Sequence, residues 1–127
     1  MLLKNLYKII SENSSEENKF QVSIRLNKSH EIFKGHFPNN PILPGVALLE
    51  ILKQLIQNHL KEILMVREVL NLKFLALVNP NENRDLVFDF QINPKEERLN
   101  IKTVTTFPDG SAVLKCNATF VAIEKAE

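Results

Sequence analysis

The segment 46–64 constrains the fold most, because it is apolar on nearly its whole circumference when drawn as a helix. Its apolar side chains are those of Val46, Leu48, Leu49, Ile51, Leu52, Leu55, Ile56, Leu60, Ile63 and Leu64. At about 100° per residue, the polar side chains fall on one narrow stripe, formed by Glu50, Gln54, Gln57 and Lys61. A helix with so little polar surface is normally surrounded by other structure. We therefore predict a long buried helix with a single polar seam.

The rest of the chain is typical of strands that could surround this helix. Alternating apolar and polar residues predict a strand over 20–26. Further strands are predicted over 2–10, 67–78, 85–92, 98–106 and 112–123, and the polar run 11–18 is predicted to be a loop. Short turn-like connections favour antiparallel hairpins between successive strands. The prediction is an α+β domain in which a curved antiparallel sheet of six strands wraps around one central helix.

Composition restricts the domain count and the partners. A chain of 127 residues, 44% apolar and 24% charged, has ordinary globular usage, so we expect one domain over 1–127. Sixteen basic and fifteen acidic residues leave a net charge of +1, which offers no field for gathering nucleic acid or an anionic membrane. The lone Cys116 favours a reducing compartment. We therefore expect a cytoplasmic protein that binds neither nucleic acid nor membranes.

The segment 33–45 interrupts every periodicity in the chain. It contains three of the six prolines and two of the three glycines. Pro38, Pro41 and Pro44 each fix φ and lack a backbone donor, so neither a helix nor a central strand can run through them. The segment is predicted to be a stiff connector that leads into the helix.

Three residues around this connector have useful acid–base and carbonyl-binding chemistry. His36 can take or give a proton near neutral pH, and Glu50 would be a partly buried acid early in the helix. Gly45 lies at the helix start, where backbone N–H groups lack intrahelical partners and can bind a carbonyl oxygen. A base, an acid and a carbonyl-binding group are the parts needed to eliminate a β-hydroxyl from a thioester.

The stretch Gly35-His36-Phe37-Pro38-Asn39-Asn40-Pro41-Ile42-Leu43-Pro44-Gly45-Val46, followed by Glu50 and Gln54, resembles the active-site segment of one enzyme family. These are the β-hydroxyacyl-acyl carrier protein dehydratases, which have the hotdog fold, and the match covers residues 33–54. The resemblance implies dehydration of 3-hydroxyacyl thioesters on acyl carrier protein to trans-2-enoyl thioesters, in fatty-acid or polyene-type biosynthesis. It implies neither a metal nor a redox cofactor.

The resemblance also implies residue roles. His36 matches the base that removes the C2 proton, and Glu50 matches the acid that helps the hydroxyl leave as water. The implied substrate-binding residues are Gly45 and Val46, through backbone N–H groups, Gln54, which orients the acid or a water, and Phe37. In the family the histidine and the acid of one site come from opposite subunits. The resemblance therefore implies a homodimer, with assembly into higher oligomers or pairing with another hotdog subunit left open.

Some residues depart from the family pattern. Asn39-Asn40 and Asn81 stand where glycine is common, and Lys53 stands where a small residue is usual. These departures fit short dehydratase-like hotdog proteins of specialised pathways, such as aryl polyene-type pigment synthesis, in which some subunits are non-catalytic. Two alternatives thus stand beside the dehydratase: a weakly active or non-catalytic partner subunit, and an acyl thioesterase. Cys116 alternates with core positions and is predicted to be a small buried hydrophobe.

Overall fold

A computed structural model describes residues 4–34 and 41–125. In this part of the chain, six strands form a single antiparallel sheet, and one α-helix packs against it. The elements are β1 (Tyr7–Glu16), β2 (Lys19–Leu26), α1 (Gly45–Leu60), β3 (Glu62–Phe74), β4 (Asp85–Lys95), β5 (Arg98–Thr106) and β6 (Ala112–Lys125). The strand order is β1-β2-β4-β5-β6-β3. No helix of this described part is long and apolar enough to cross a membrane. The predicted α+β architecture is confirmed.

The core lies between α1 and the inner face of the sheet. The helix buries its residues at 3.6-residue spacing, namely Ala47, Leu48, Ile51, Leu52, Leu55 and Ile56. Strand β2 buries every second residue, namely Phe20, Val22, Ile24 and Leu26, as expected of a strand with one face on a core. This alternation confirms the strand predicted over 20–26.

The start of α1 agrees with the prediction to within one residue. Pro44 stands just before the helix with φ −61° and ψ 144°, an extended conformation. Its carbonyl oxygen accepts hydrogen bonds from the N–H groups of Ala47 at 3.0 Å and Leu48 at 3.1 Å. Proline lacks the donor that a helix start would leave unpaired, so it ends the connector and begins the helix without losing a hydrogen bond.

The predicted end of the helix at residue 64 is wrong, because α1 ends at Leu60. Lys61 takes the left-handed conformation with φ 60°, and its N–H donates to the Gln57 carbonyl oxygen at 2.8 Å. The side-chain Oε1 of Gln57 then accepts from the backbone N–H of Leu64 at 2.8 Å. Ile63 and Leu64 therefore belong to β3, and the polar residue Gln57 serves to turn the chain.

The prediction of a loop over 11–18 is also wrong. Strand β1 continues through this polar run to Glu16 and pairs antiparallel with β2 along its whole length. The chain reverses only at 17–18, where Asn18 has φ 67°. Because β1 is an edge strand with its side chains in water, it needs no apolar alternation to remain a strand.

Strand β3 does not form the hairpin with β4 that the short connection 79–83 favoured. It pairs with β6 from Glu62 to Phe74 and forms the second edge of the sheet, whereas β4 lies between β2 and β5. The strand begins five residues before the predicted range 67–78 and ends four residues before its end. Its course brings one edge of the sheet beside α1.

Candidate active site

An apolar cavity of about 300 Å³ lies between α1 and the strands β6 and β3, of which β3 is the sheet edge, and we call it the helix–β3 groove. It is lined by Val46, Leu49, Glu50, Leu52, Lys53, Val66, Val69, Leu72, Cys116, Ala118 and Phe120. The charged members of this lining are Glu50 and Lys53. An apolar groove with a few polar groups at defined places is typical of a binding site for an apolar ligand with one reactive end.

Glu50 is exposed in this structure, so the expectation of a partly buried acid is wrong for the single chain. Val46, one helical turn earlier on the same side of α1, is 78% exposed. The sheet therefore covers only part of the helix circumference, and a strip that contains these two residues faces the open side of the groove. The acid lies where a ligand or a second protein surface can reach it.

The start of α1 is tightly packed at Gly45. A Cβ atom at this position would lie 3.0 Å from Cζ of Phe74, the last residue of β3. Glycine thus lets an aromatic ring approach the first turn of the helix. The N–H groups of Ala47 and Leu48 donate to the Pro44 carbonyl oxygen, whereas those of Gly45 and Val46 come before the first such bond and can donate to an oxygen that gains negative charge. The predicted carbonyl-binding position therefore lies at the same end of α1 as Glu50.

Gln54 has a hydrogen-bond partner that the sequence did not reveal. The hydroxyl of Tyr7, at the start of β1, donates to Oε1 of Gln54 at 2.8 Å. Burial raises the pKa of Tyr7 above its ordinary value, and the negative charge of Glu50 adds to the rise. The phenol therefore keeps its proton and lies within the electrostatic range of the acid. Tyr7 is the single tyrosine of the chain. No motif around it indicated a contact with the predicted site residues.

Cys116 and Lys53 also line the groove. Cys116 is buried in the groove wall, as predicted, and burial raises the pKa of its thiol. A protonated thiol is a poor nucleophile, so this cysteine acts as a small apolar wall residue. Lys53 is half-buried in the same lining, one turn after Glu50. The groove thus carries a cationic side chain beside the acid.

His36 and Phe37 lie outside the described residues, so their predicted roles remain predictions. The chain is well anchored on both sides of this interval. Phe33 is buried, and the buried Leu43 donates its N–H to the carbonyl oxygen of Val78 at 2.8 Å. The residues that flank this interval, Phe33 and Leu43, are therefore both fixed to the core of the domain.

Comparison with protein families identifies the class to which this fold and site belong. Residues 12–111 match the model of the ApeI-like family, described as ApeI dehydratase. Because the match covers most of the chain, the protein belongs to the ApeI-like dehydratase family.

The relatives and the structural neighbours agree with this family. A 3-hydroxyacyl-[acyl-carrier-protein] dehydratase FabZ from Lactococcus lactis is 30% identical over 118 residues, which cover 87% of this chain and 77% of that protein. The corresponding FabZ of Caldanaerobacter subterraneus is 52% identical over 40 residues, which cover 31% of this chain and 28% of that protein. High identity is therefore confined to a short segment.

Solved structures share the fold at lower sequence identity. The dehydratase heterocomplex ApeI:P from Xenorhabdus doucetiae has a TM-score of 0.73 at 18% identity, covering 90% of this chain and 96% of that chain. A hypothetical thioesterase with coenzyme A from Streptococcus pneumoniae has a TM-score of 0.67 at 11% identity, covering 95% and 88%. These likenesses confirm the predicted hotdog fold, and they do not choose between dehydratase and thioesterase.

Proposed function

We propose that this protein dehydrates 3-hydroxyacyl thioesters carried on acyl carrier protein and yields trans-2-enoyl thioesters in fatty-acid or polyene-type biosynthesis in the cytoplasm. Membership of a dehydratase family supports this function. The observation that carries it is the helix–β3 groove, because its apolar walls suit an acyl chain and Glu50 stands on its lining next to the start of α1.

The proposed reaction needs a base, an acid and a carbonyl-binding group. His36 takes the proton from C2 of the substrate, and the electron pair of that C–H bond forms the C2=C3 double bond. The C3–O bond breaks, and Glu50 gives a proton to the departing hydroxyl, which leaves as water. The N–H groups of Gly45 and Val46 bind the thioester oxygen as it gains negative charge. In this scheme, Gln54 orients the acid or its water, and Phe37 contacts the substrate.

The proposed working form is a dimer of two copies joined along β3. This strand is a sheet edge, and it exposes six apolar side chains, namely Met65, Val66, Val69, Leu70, Leu72 and Phe74. A long apolar edge is unfavourable in water and pairs readily with another strand. A symmetric contact at this edge would cover the open side of the groove and bring the His36 segment of one copy near Glu50 of the other.

A non-catalytic partner subunit is the second candidate function. It is favoured by the structural likeness to a dehydratase described as a heterocomplex, and by the cationic Lys53 next to the acid. In this alternative, β3 would pair with a different hotdog subunit. The thioesterase alternative differs in its product, since it would release a free thiol.

The function is tested by incubating the purified protein with 3-hydroxyacyl thioesters of several chain lengths on acyl carrier protein. The proposal expects a product lighter by one water, and loss of turnover in His36→Ala and Glu50→Gln. The matched control variants are His59→Phe, which keeps the stacking of this ring on Phe20, and Glu12→Gln, and both should keep full activity because the two positions lie outside the groove lining. Absence of turnover by a folded dimer at every chain length would favour the partner-subunit function, and release of free thiol would favour the thioesterase.

A further inference from the structure

Burial and hydrogen bonds hold the backbone around Tyr7 in place, and its phenol contacts α1. The residue before it, Leu6, is fully buried, and its carbonyl oxygen accepts from the N–H of Asn27 at 2.7 Å. The side-chain amide of Asn27 also donates to the Asn5 carbonyl oxygen at 2.9 Å. Tyr7 itself pairs with Leu26 of β2 and is half-buried against the core. The hydroxyl position is therefore fixed by the fold.

The bond between Tyr7 and Gln54 determines which end of the Gln54 amide faces the phenol. The structure places Oε1 of Gln54 at the phenol, so the hydroxyl donates to it and the amide NH₂ group points away from the phenol. Glu50 precedes Gln54 by four residues on α1, and side chains with this spacing are neighbours on one helix face. With its Oε1 bound by the phenol, Gln54 keeps its NH₂ group for another acceptor, and the carboxyl group of Glu50 is a neighbouring one on the helix.

We propose that Tyr7 is a positioning residue, which holds the amide of Gln54 so that its NH₂ group donates to Glu50. This inference rests on the proposed dehydratase function and assigns a role to a residue of β1 that does not line the groove. With one carboxyl oxygen bound by the amide, the other faces the groove and carries the proton for the departing hydroxyl. Tyr7 touches neither substrate nor reacting atoms and acts only through Gln54.

The test is a double-mutant cycle on the full-length protein with Tyr7→Phe, Gln54→Leu and the combined variant. Tyr7→Phe removes only the hydroxyl, and we expect kcat to fall roughly five- to tenfold with KM unchanged, as for the loss of one neutral hydrogen bond. In the Gln54→Leu background, the same change should have no further effect on kcat. Additive effects, or a kcat within twofold of wild type for Tyr7→Phe, would overturn the proposal.

A control separates positioning from general damage to the fold. Gln21 donates a side-chain hydrogen bond to Asp89 at 2.9 Å on the exposed face of β2 and β4. Gln21→Leu breaks a bond of the same kind outside the lining of the groove, and it should leave kcat unchanged. If this variant lost as much kcat as Tyr7→Phe, the effect of Tyr7 would be structural and the positioning role would be wrong.

An NMR measurement keeps the inference testable even if the wild-type protein proves inactive, which would refute the proposed function. At one fixed pH, the side-chain NH₂ signals of Gln54 should differ between wild type and Glu50→Gln, because a charged carboxylate is the stronger acceptor. In a Tyr7→Phe background, the change Glu50→Gln should move the Gln54 signals much less. If the chemical shifts of the Gln54 NH₂ signals were the same with Glu50 and with Gln at this position, the positioning role would be overturned independently of turnover.

Discussion

The two edge strands of the sheet differ in the chemistry that they expose. β1 has two half-exposed isoleucines, Ile9 and Ile10, followed by six consecutive polar residues at 11–16. β3 exposes six apolar side chains between Met65 and Phe74, although three charged residues, Arg67, Glu68 and Lys73, lie among them. Polar and charged side chains discourage a further strand from adding to an edge, whereas an apolar edge favours it. The contrast indicates that the chain protects one edge and leaves the other suited to a partner.

The same contrast extends to the site. The helix–β3 groove and the exposed acid Glu50 both lie at the apolar edge. The polar edge contacts this part of α1 through Tyr7, at the first position of β1, whose hydroxyl donates to Gln54. The groove and the acid thus lie at the edge that exposes more apolar surface. A strand partner at β3 would both bury apolar surface and close the groove.

A charge placed on the β3 edge should have the largest effect. Leu70→Lys puts an ammonium on a side chain that is 54% exposed in the single chain and buried in the proposed dimer. Burying an unpaired charge costs several kcal/mol, so the dimer should weaken by about a hundredfold or more. Sedimentation velocity measures the loss of dimer, and turnover should fall in parallel.

The matched control for this variant is Ile10→Lys on the polar edge. Ile10 is 46% exposed and, like Leu70, sits at an irregularity in strand pairing. Sedimentation and turnover should remain as in wild type. Equal effects of the two lysines would mean that the edges do not differ in function.

A smaller effect is expected where β3 ends against α1. Gly45→Ala adds a Cβ that would meet the ring of Phe74 at 3.0 Å. Crowding of this kind should lower the free energy of unfolding by about 1 kcal/mol, measured by urea denaturation. Adding Phe74→Leu should recover most of this loss, because the smaller side chain leaves room for the methyl group. An unchanged midpoint in Gly45→Ala alone would show that the ring moves away freely.

The smallest effect is expected at the β1 half of the sheet, where Arg25 of β2 binds Asp85 of β4 through two bonds of 2.8 and 3.1 Å. The hydrogen bond from Arg25 holds the pKa of Asp85 below its ordinary value. The stabilisation is therefore complete above the ordinary carboxyl range and is lost as pH falls through the lowered pKa. Both side chains are partly exposed, so the effect is small.

We expect Asp85→Asn to lower the unfolding midpoint slightly at neutral pH and not at all in strong acid. Thermal unfolding at several pH values and protein concentrations measures this difference. The effect should not depend on protein concentration, because the ion pair lies within one chain. A difference between wild type and variant that grew in acid would contradict the assigned direction of the pKa shift.

Local sequence predicted the elements whose pattern is local. The start of α1 follows from Pro44 and Gly45, and β2 follows from strict alternation, so both were placed within a residue or two. The end of α1 depends on Lys61 in a left-handed conformation and on the side chain of Gln57, which looked like part of a polar stripe. A strand was predicted over 2–10, but the second half of β1, residues 11–16, was predicted as a loop because an exposed edge imposes no apolar pattern.

Local sequence patterns did not predict which residues pair when they lie far apart in the chain. The connection 79–83 has turn residues that favour a hairpin, yet β3 finds its partner in β6. The contact of Tyr7 with Gln54 joins positions 47 residues apart. Glu50, Gln54 and Gly45 were predicted as site residues through a motif, and their roles stay predictions, whereas the exposure of the acid depends on which strand forms the edge beside α1.

The most direct test of the central claim, that each site is shared by two copies across β3, is complementation between two inactive variants. His36→Ala and Glu50→Gln are coexpressed with different tags, and the mixed dimer is assayed for dehydration. If His36 of one copy acts with Glu50 of the other, one of its two sites is intact, so the purified mixed dimer should have about half of wild-type turnover, and the unseparated random mixture about a quarter. A mixed dimer that forms and stays inactive, beside an active wild type, would contradict the account.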